Sequence, residues 1–430
     1  MNVEKTIEKT LTIIIVPLVI PIVIIMYVIK LCTGGRRCSG LFEEAERAYG
    51  NENHLERVKT DIVHSTPSLD QHAQVREKSI DLMTAGDWPV FSDWIAELDQ
   101  ARACCVANLS LVETAVQAAL EHLAVAIHEG HDCHPDPILE FSDDTVEAFE
   151  RTALELTKNY PLRAMAAMMR CYQGWTHRDA DYAFYVSDDG WFGMGEKFNR
   201  AAELLDQCDP VALDAPLLAA ARHRLLAFMP NAEAQVRAFY ETWSSLDPKN
   251  QTPHRQHAMM MLPRWFGSDH DLQIAAAQAA TNTQAVTGEA AYFTMYRTVL
   301  DAWDPNVLSM DETRFSEGAS DFLTLRNNDP ACVGALVESM GWWSAFGSAR
   351  GLSKVQKVRR NALSRHFKAL ARDIIRDRLC AIYPDAWSDG AEGCRLEIVE
   401  ACRDELDLGY EIVLGEDGAS FHKPADPALA

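Results

Sequence analysis

Residues 204–228 read LLDQCDPVALDAPLLAAARHRLLAF, and residues 242–266, thirty-eight positions further on, read TWSSLDPKNQTPHRQHAMMMLPRWF. In both stretches a helical pattern ends at an Asp-Pro pair, a short loop follows, and a second proline stands where the next helix begins. These prolines are Pro216 and Pro253. Proline suits only the first turn of a helix, because further in it lacks a donor and clashes with the preceding turn. The repetition therefore predicts two corresponding helix starts.

The distance between these stretches is close to the period of two-helix solenoid repeats, which stack because no unit buries its apolar face alone. Further Asp-Pro pairs stand at residues 304–305 and 329–330. Chance repetition of a common helix stop is the alternative. We predict an all-α fold built as a tetratricopeptide-like solenoid of helices.

Helical spacing continues on both sides of the repeats. Apolar positions predict helices at 68–85, 88–105 and 109–127, and Ser142 with two acidic neighbours is a typical N-cap for the long helical region that follows. The one strand pattern is at 410–414, ahead of a turn that would allow a hairpin.

A charge-free apolar run, LTIIIVPLVIPIVIIMYVI, occupies residues 11–29. As a helix it would span roughly 28 Å, about the thickness of a bilayer hydrocarbon core. Pro17 and Pro21 predict a kink, which a membrane helix tolerates. A cleaved signal peptide is the alternative, but the run is longer than a signal core and lacks small residues before Cys32. We predict an uncleaved transmembrane helix.

The charges around this helix indicate its orientation. Lys30, Arg36 and Arg37 after the helix outnumber Lys5 and Lys9 before it, which favours a cytoplasmic C-terminal side. The eleven cysteines, an odd number with no C-x-x-C pair, also favour a reducing compartment. We predict a single-pass protein of a bacterial inner membrane with its C-terminal domain in the cytoplasm.

The predicted organisation has five parts. They are a short N-terminal segment (1–10), the transmembrane helix (11–29), a juxtamembrane connector (30–66), the α-helical repeat domain (67–383) and a C-terminal tail with a short helix and a possible hairpin (384–430).

A family resemblance covers residues 87–300. It rests on Asp87-Trp88 ahead of a helix, on the Trp191 segment that runs into FNRAAELLDQCDP, and on the turn PRWFGS at residues 263–268. These features resemble a bacterial family of unknown function built from tetratricopeptide-like helix pairs, although Phe266 stands where that family prefers glycine. The resemblance implies a helical-repeat fold and brings no catalytic residues.

A histidine-rich stretch offers zinc ligands within a few residues of one another: His128, His131, Cys133 and His134. Its run H-E-G-H is one residue short of the H-E-x-x-H spacing that places two histidines on one helical face. Histidines near the negative end of a helix dipole, with no metal, are the alternative.

A second candidate site is an aromatic and acidic segment that contains several glycines. Its candidate ligand-binding residues, together with a tryptophan from the PRWFGS turn, are Trp175, His177, Asp179, Asp181, Trp191 and Trp265. Such groups on a loop can line a pocket, and they can equally pack as core at a helix junction. The glycines do not follow G-x-G-x-x-G order, so phosphate binding is not indicated.

Residues 350–378 carry ten Lys and Arg against two Asp, with apolar residues near one helical face. The helix can dock on acidic parts of the protein, or it can contact anionic lipid or an acidic partner. The contact residues proposed for the second case are Lys354, Lys357, Arg359, Arg360, Arg365 and Lys368.

The whole chain has a net charge of -23, which argues against a nucleic-acid partner. It contains no G-x-S-x-G, P-loop or C-x-x-C motif, and no catalytic residues are assigned. We therefore predict a membrane-anchored platform for protein partners rather than an enzyme, with no cofactor expected. The alternative is a membrane-tethered enzyme or zinc-binding protein that uses the histidine cluster or the Trp175–Trp191 loop.

Overall fold

The computed structural model describes residues 52–128, 137–156, 160–178, 185–302, 305–345 and 352–423. Several predictions fall outside these ranges, namely the transmembrane helix at 11–29 and the side chains of His131, Cys133, His134, Asp179 and Asp181. Within the described ranges, no helix is both long and apolar enough to cross a bilayer.

The described chain is mostly α-helical, as predicted. The helices of its first half are α1 (Glu52–Glu56), α2 (Pro67–Ala85), α3 (Trp88–Gln100), α4 (Leu111–Leu123), α5 (Asp143–Glu155), α6 (Tyr160–Arg178), α7 (Asp188–Leu205), α8 (Pro216–Arg224) and α9 (Ala232–Leu246). The second half has α10 (Thr252–Met260), α11 (Asp269–Thr287), α12 (Ala290–Asp301), α13 (Glu312–Leu325), α14 (Pro330–Ser344), α15 (Lys354–Arg378), α16 (Gly390–Ala401) and α17 (Arg403–Asp407). Short 3-10 turns lie at Leu225–Ala227, Pro305–Ser309 and Pro384–Ala386.

The predicted helix starts are confirmed. Pro216 is the first residue of α8, and Pro253 lies in the first turn of α10. Ser142 caps α5, because its side chain accepts a hydrogen bond from the backbone N–H of Thr145 at 3.2 Å. These signals act within one helical turn, so the sequence alone can predict where such a helix starts.

The helix predicted at 88–105 ends earlier, at Gln100. Arg102 takes a left-handed conformation with φ 49°, and its guanidinium group donates to the carbonyl of Leu246 at 2.9 Å and to Asp214. Hydrogen bonds to distant residues therefore hold this segment out of the helix.

The prediction of a helix at 109–127 is wrong in its last turn. After Leu123 the chain becomes extended, and β2 (Ala126–His128) pairs antiparallel with β3 (Ile138–Glu140). The backbone N–H of Val125 donates to the carbonyl of Glu140 at 2.8 Å, so pairing across the hairpin replaces the last helical turn.

The predicted C-terminal hairpin is confirmed as β4 (Glu411–Gly415) and β5 (Gly418–His422). A third strand, β1 (Val58–Lys59), runs parallel to β4 and was not predicted, because two residues carry no alternation pattern. Through this pairing, residues near the start of the described chain lie beside β4, near its end.

Buried apolar side chains form two clusters. The first comes from α2 to α8 and includes Phe91, Leu120 and Met165, whereas the second takes in Leu226 and most of the later helices. Trp265 packs against both clusters at their boundary.

The tetratricopeptide-like solenoid is not confirmed. In a solenoid each repeat contacts only its neighbours. Here the N–H of Ile412 donates to the carbonyl of Arg57 at 2.9 Å, and Arg326 donates to the carbonyl of Ala107 at 3.1 Å. These contacts join parts of the chain that are hundreds of residues apart.

The PRWFGS turn depends on its glycine. A Cβ added at Gly267 would overlap the carbonyl group of Met261. We expect Gly267→Ala to lower the free energy of unfolding by about 1–3 kcal/mol, since the backbone has to shift. Gly341→Ala in α14 is the control, because nothing lies within 4 Å of its added Cβ. Urea unfolding of both variants checks this, and equal stability would contradict it.

Candidate functional site

A cavity with a volume of about 420 Å³ lies among α2, α4, α6, α8, α9 and α10. This volume is within the usual range for small-molecule sites. The two short helices α8 and α10, whose starts the repeated sequence predicted, both line it.

Five of these helices turn one face toward the cavity. Each contributes a pair of lining residues four positions apart: His72 and Arg76, Glu113 and Gln117, Met168 and Tyr172, Ala220 and Arg224, and Thr252 and Gln256. Residues four apart lie above one another on a helix, so each pair marks a single inward face.

Arginines dominate the charge of the lining. Arg76, Arg224 and Arg255 stand against a single carboxylate, Glu113. Both oxygens of Glu113 accept hydrogen bonds from neighbours, one from Asn250 Nδ2 at 2.7 Å and the other from the Thr252 hydroxyl at 2.7 Å. In a chain with a net charge of -23, this gathering of cationic groups is unusual.

Arg76 and Arg224 also contact neighbouring side chains. Arg76 forms an ion pair of 2.8 Å with Glu121, and the guanidinium carbon of Arg224 lies 5.1 Å from the ring centre of Tyr172. Burial raises the pKa of Asp301, and the charges of Arg297 and Arg255 lower it. The contacts of Arg76 and Arg224 orient these two side chains before anything binds.

Burial lowers the pKa of two histidines of the lining. His223 is 2% exposed, and burial, followed by the charge of Arg224, lowers its pKa to about 3. Burial likewise lowers the pKa of His72, whose Nδ1 lies 2.7 Å from the Thr114 hydroxyl.

Both imidazoles also have a ring nitrogen in need of a partner. In the part of the chain that the structure describes, Nε2 of His72 and Nε2 of His223 are buried and have no hydrogen-bond partner. A buried polar atom in that state costs about 1–3 kcal/mol. A ligand in the cavity can satisfy such atoms, which makes them candidate binding groups.

A second group of imidazoles lies beside the cavity. His254 Nδ1 is 2.9 Å from the Tyr240 hydroxyl, and the ring of His257 stacks on Tyr240 with centroids 4.1 Å apart. Burial lowers the pKa of His254 to about 4 and that of His257 well below its usual value. Across the described ranges, no three His, Cys, Asp or Glu side chains are grouped as a metal site.

The structure places His128 in a hairpin. Its Nε2 lies 2.8 Å from Glu140 Oε2 on the paired strand. The other predicted zinc ligands, His131, Cys133 and His134, are outside the described residues.

The structure describes four of the six predicted ligand-binding residues, and among these Trp175 is buried and Trp191 and Trp265 are half-buried. The rings of Trp175 and Trp265 are 6.1 Å apart, and the guanidinium group of Arg178 lies 5.2 Å from Trp175 and 5.4 Å from Trp191. His177 is exposed beside Gly193. None of these side chains lines the cavity of 420 Å³.

The basic helix α15 docks on acidic parts of the protein through some of its cations. Arg359 pairs with Glu312 and donates to the carbonyl of Leu308 at 3.2 Å, and Arg376 pairs with Glu405 at 2.5 Å. Of the other predicted contact residues, Arg360 is half-buried, and Lys354, Lys357, Arg365 and Lys368 are exposed.

The lining residues of the cavity were not singled out from the sequence. A signal was present in the repeated stretches, where residues 221–224 read ARHR and residues 253–257 read PHRQH. Clusters of arginine and histidine are conspicuous in so acidic a chain, but they also suit the C-terminal turn of a helix, where cations stabilise the dipole.

No protein-family model, curated protein or solved structure matches this chain. The family resemblance therefore stays a prediction.

Proposed function

We propose that this chain is a membrane-anchored binding protein whose helical domain takes a small organic anion into the arginine-lined cavity. The observation that carries the proposal is that Arg76, Arg224 and Arg255 line one cavity. The one carboxylate in its lining, Glu113, already accepts hydrogen bonds from Asn250 and Thr252. A guanidinium group presents its donors in a planar fork that matches carboxylate or phosphate oxygens.

The remaining lining indicates the rest of the ligand. Tyr172 and Trp243 supply aromatic faces, and Leu120, Met168 and Leu217 supply an apolar wall. Apolar walls with a few polar groups are typical of sites for organic molecules rather than for inorganic ions. We therefore propose a ligand with one or two acidic groups and an apolar or aromatic body.

The membrane attachment in this proposal rests on residues 11–29, whose transmembrane character stays a prediction from their sequence. The protein-interaction role predicted from the repeats is a second candidate. The exposed side chains of Tyr185 and Phe192, 69% and 76% exposed near the start of α7, favour it.

The ligand test uses thermal unfolding of the full chain in detergent with a panel of aromatic and aliphatic carboxylates and phosphate esters. Each acid is compared with its neutral amide or alcohol. We expect at least one acid to raise the melting temperature and its neutral analogue to have no effect, because a ligand that binds only the folded state stabilises it.

The variant Arg255→Gln is expected to weaken binding of that acid by about 10- to 100-fold, as loss of a hydrogen bond between charged groups does. Calorimetric titration measures the affinity. Arg237→Gln is the control, because Arg237 is exposed on α9 and pairs with Glu241 at 2.7 Å away from the cavity. Equal affinity of both variants, or a panel in which nothing shifts the melting temperature, would contradict the proposal.

A further inference from the structure

The exposed face of α15 carries an uninterrupted positive charge. Between Lys354 and Arg372 the helix has seven Lys and Arg and no Asp or Glu. Its opposite face is buried through Leu363, Phe367 and Ala371, so the helix is fixed to the protein along that side.

The seven cations divide into two sets. Arg359 and Arg372 pair with Glu312 and Glu400, and Arg360 donates to Asn361 at 3.0 Å. The other four are exposed, and among the described residues none of them forms an ion pair: Lys354, Lys357, Arg365 and Lys368. These four side chains are called the cationic stripe below.

The four side chains of the cationic stripe form a straight row along the helix. Its members are three, eight and three residues apart, so they stay on one side of a helix with 3.6 residues per turn. They extend over roughly 21 Å. Val355 and Val358 lie beside its N-terminal end and are 78% and 65% exposed.

We propose that the cationic stripe lies against a bilayer surface that contains anionic lipid. A straight row of cations on a convex helix fits a flat anionic surface, and Val355 and Val358 can enter the boundary between headgroups and acyl chains. Because the chain has a net charge of -23, an anionic bilayer repels most of its remaining surface. The stripe therefore also sets the orientation of the domain relative to the membrane.

The predicted anchor permits this contact. The described chain starts at α1, which packs on α16, and α16 reaches the C-terminal half of α15 through the ion pair of Glu400 with Arg372. Residues 30–51 can span up to about 75 Å when extended, whereas α15 is about 37 Å long. The connector is thus long enough for either end of α15 to reach the membrane that holds residues 11–29.

The test measures lysine acetylation of the full chain on vesicles by mass spectrometry. One set of vesicles is pure phosphatidylcholine, and the other contains 30% phosphatidylglycerol. We expect acetylation of Lys354, Lys357 and Lys368 to slow at least about threefold on the anionic vesicles alone and to recover in 0.5 M salt. Lys249, exposed elsewhere, serves as the internal reference.

A triple variant keeps the three reporter lysines and removes the other groups: Val355→Ser, Val358→Ser and Arg365→Gln. In this variant we expect anionic vesicles to protect the three lysines from acetylation much less. The matched control is Val211→Ser, Val286→Ser and Arg237→Gln, which makes the same changes at exposed positions away from α15 and keeps full protection.

Three results overturn the proposal. Equal acetylation on both kinds of vesicle excludes a contact with anionic lipid. Protection that persists on pure phosphatidylcholine in high salt shows an apolar contact instead. Protection without vesicles at high protein concentration shows that the stripe binds the acidic surface of a second copy.

Discussion

Acidification from pH 7 to pH 4 is expected to lower the unfolding free energy of the helical domain by about 4 kcal/mol. The main cause is the pair of buried imidazoles of His223 and His254, whose pKa values burial lowers to about 3 and about 4. The unfolded chain takes up protons near the ordinary value of 6.5, whereas the folded chain does not. Their stabilising effect is therefore complete above pH 6.5 and is lost as the pH falls toward 4.

Three carboxyl groups whose pKa burial raises oppose this loss: Asp99, Asp247 and Asp301. Burial raises the pKa of Asp99 to about 6, despite hydrogen bonds from Tyr160 and from the backbone of Leu217. The Asp99 carboxyl then binds a proton more tightly in the folded state than in the unfolded state. Acidification below pH 6 therefore raises the free energy of unfolding by about 2 kcal/mol through this group. The two imidazoles lower the free energy of unfolding by about 6 kcal/mol over the same pH range. Subtracting the contribution of Asp99 gives the expected loss of about 4 kcal/mol. His257, whose pKa is also lowered, adds to it.

Urea unfolding of the full chain in detergent between pH 4 and pH 7.5 measures this dependence. His254→Phe removes one of the titrating groups and is expected to flatten the curve by about 3 kcal/mol between pH 7 and pH 4. His270→Gln is the control, since His270 is exposed. If His254→Phe and the unaltered chain have the same slope, these imidazoles do not cause the acid sensitivity.

The substitution Glu150→Gln is expected to lower the unfolding free energy by about 3–5 kcal/mol, because it leaves a buried guanidinium group without its counter-charge. Glu150 on α5 accepts from Arg170 Nη2 on α6 at 2.7 Å and from Arg200 Nε on α7 at 2.7 Å, and Glu150 and Arg170 are both buried. Burial raises the pKa of Glu150, but the hydrogen bonds from Arg200 and Arg170 outweigh it and hold this pKa below its usual value.

Two further variants test the cause of that loss. Glu147→Gln changes an exposed carboxylate three residues earlier on the same helix and is expected to have an effect below about 0.5 kcal/mol. The double variant Glu150→Gln with Arg170→Met removes the buried charge as well and should recover part of the stability. A single Glu150→Gln variant within about 1 kcal/mol of the unaltered chain would show that the ion pair is not needed.

The sequence is sufficient for features that depend on near neighbours. Pro216, Pro253 and Ser142 mark helix starts that the structure confirms, because a helix start is decided within its first turn. The C-terminal hairpin follows from alternation and a turn in the same way.

Features that depend on distant partners could not be predicted from local patterns. After α4 the chain pairs as a strand instead of forming a last helical turn. Trp175, for which the sequence left both a pocket and a packed core open, is buried. The groups that decide these outcomes are the backbone carbonyl of Glu140 across the hairpin and the ring of Trp265, ninety residues from Trp175. A local sequence pattern does not contain them.

By itself, the sequence determines a helical protein with an apolar N-terminal run, defined helix starts and a strongly acidic surface that one basic helix interrupts. Only the tertiary structure decides that Arg76, Arg224 and Arg255 line the same cavity. The physical reason is that helical periodicity specifies which residues share one face of one helix, whereas the faces that meet depend on packing between helices far apart in the chain.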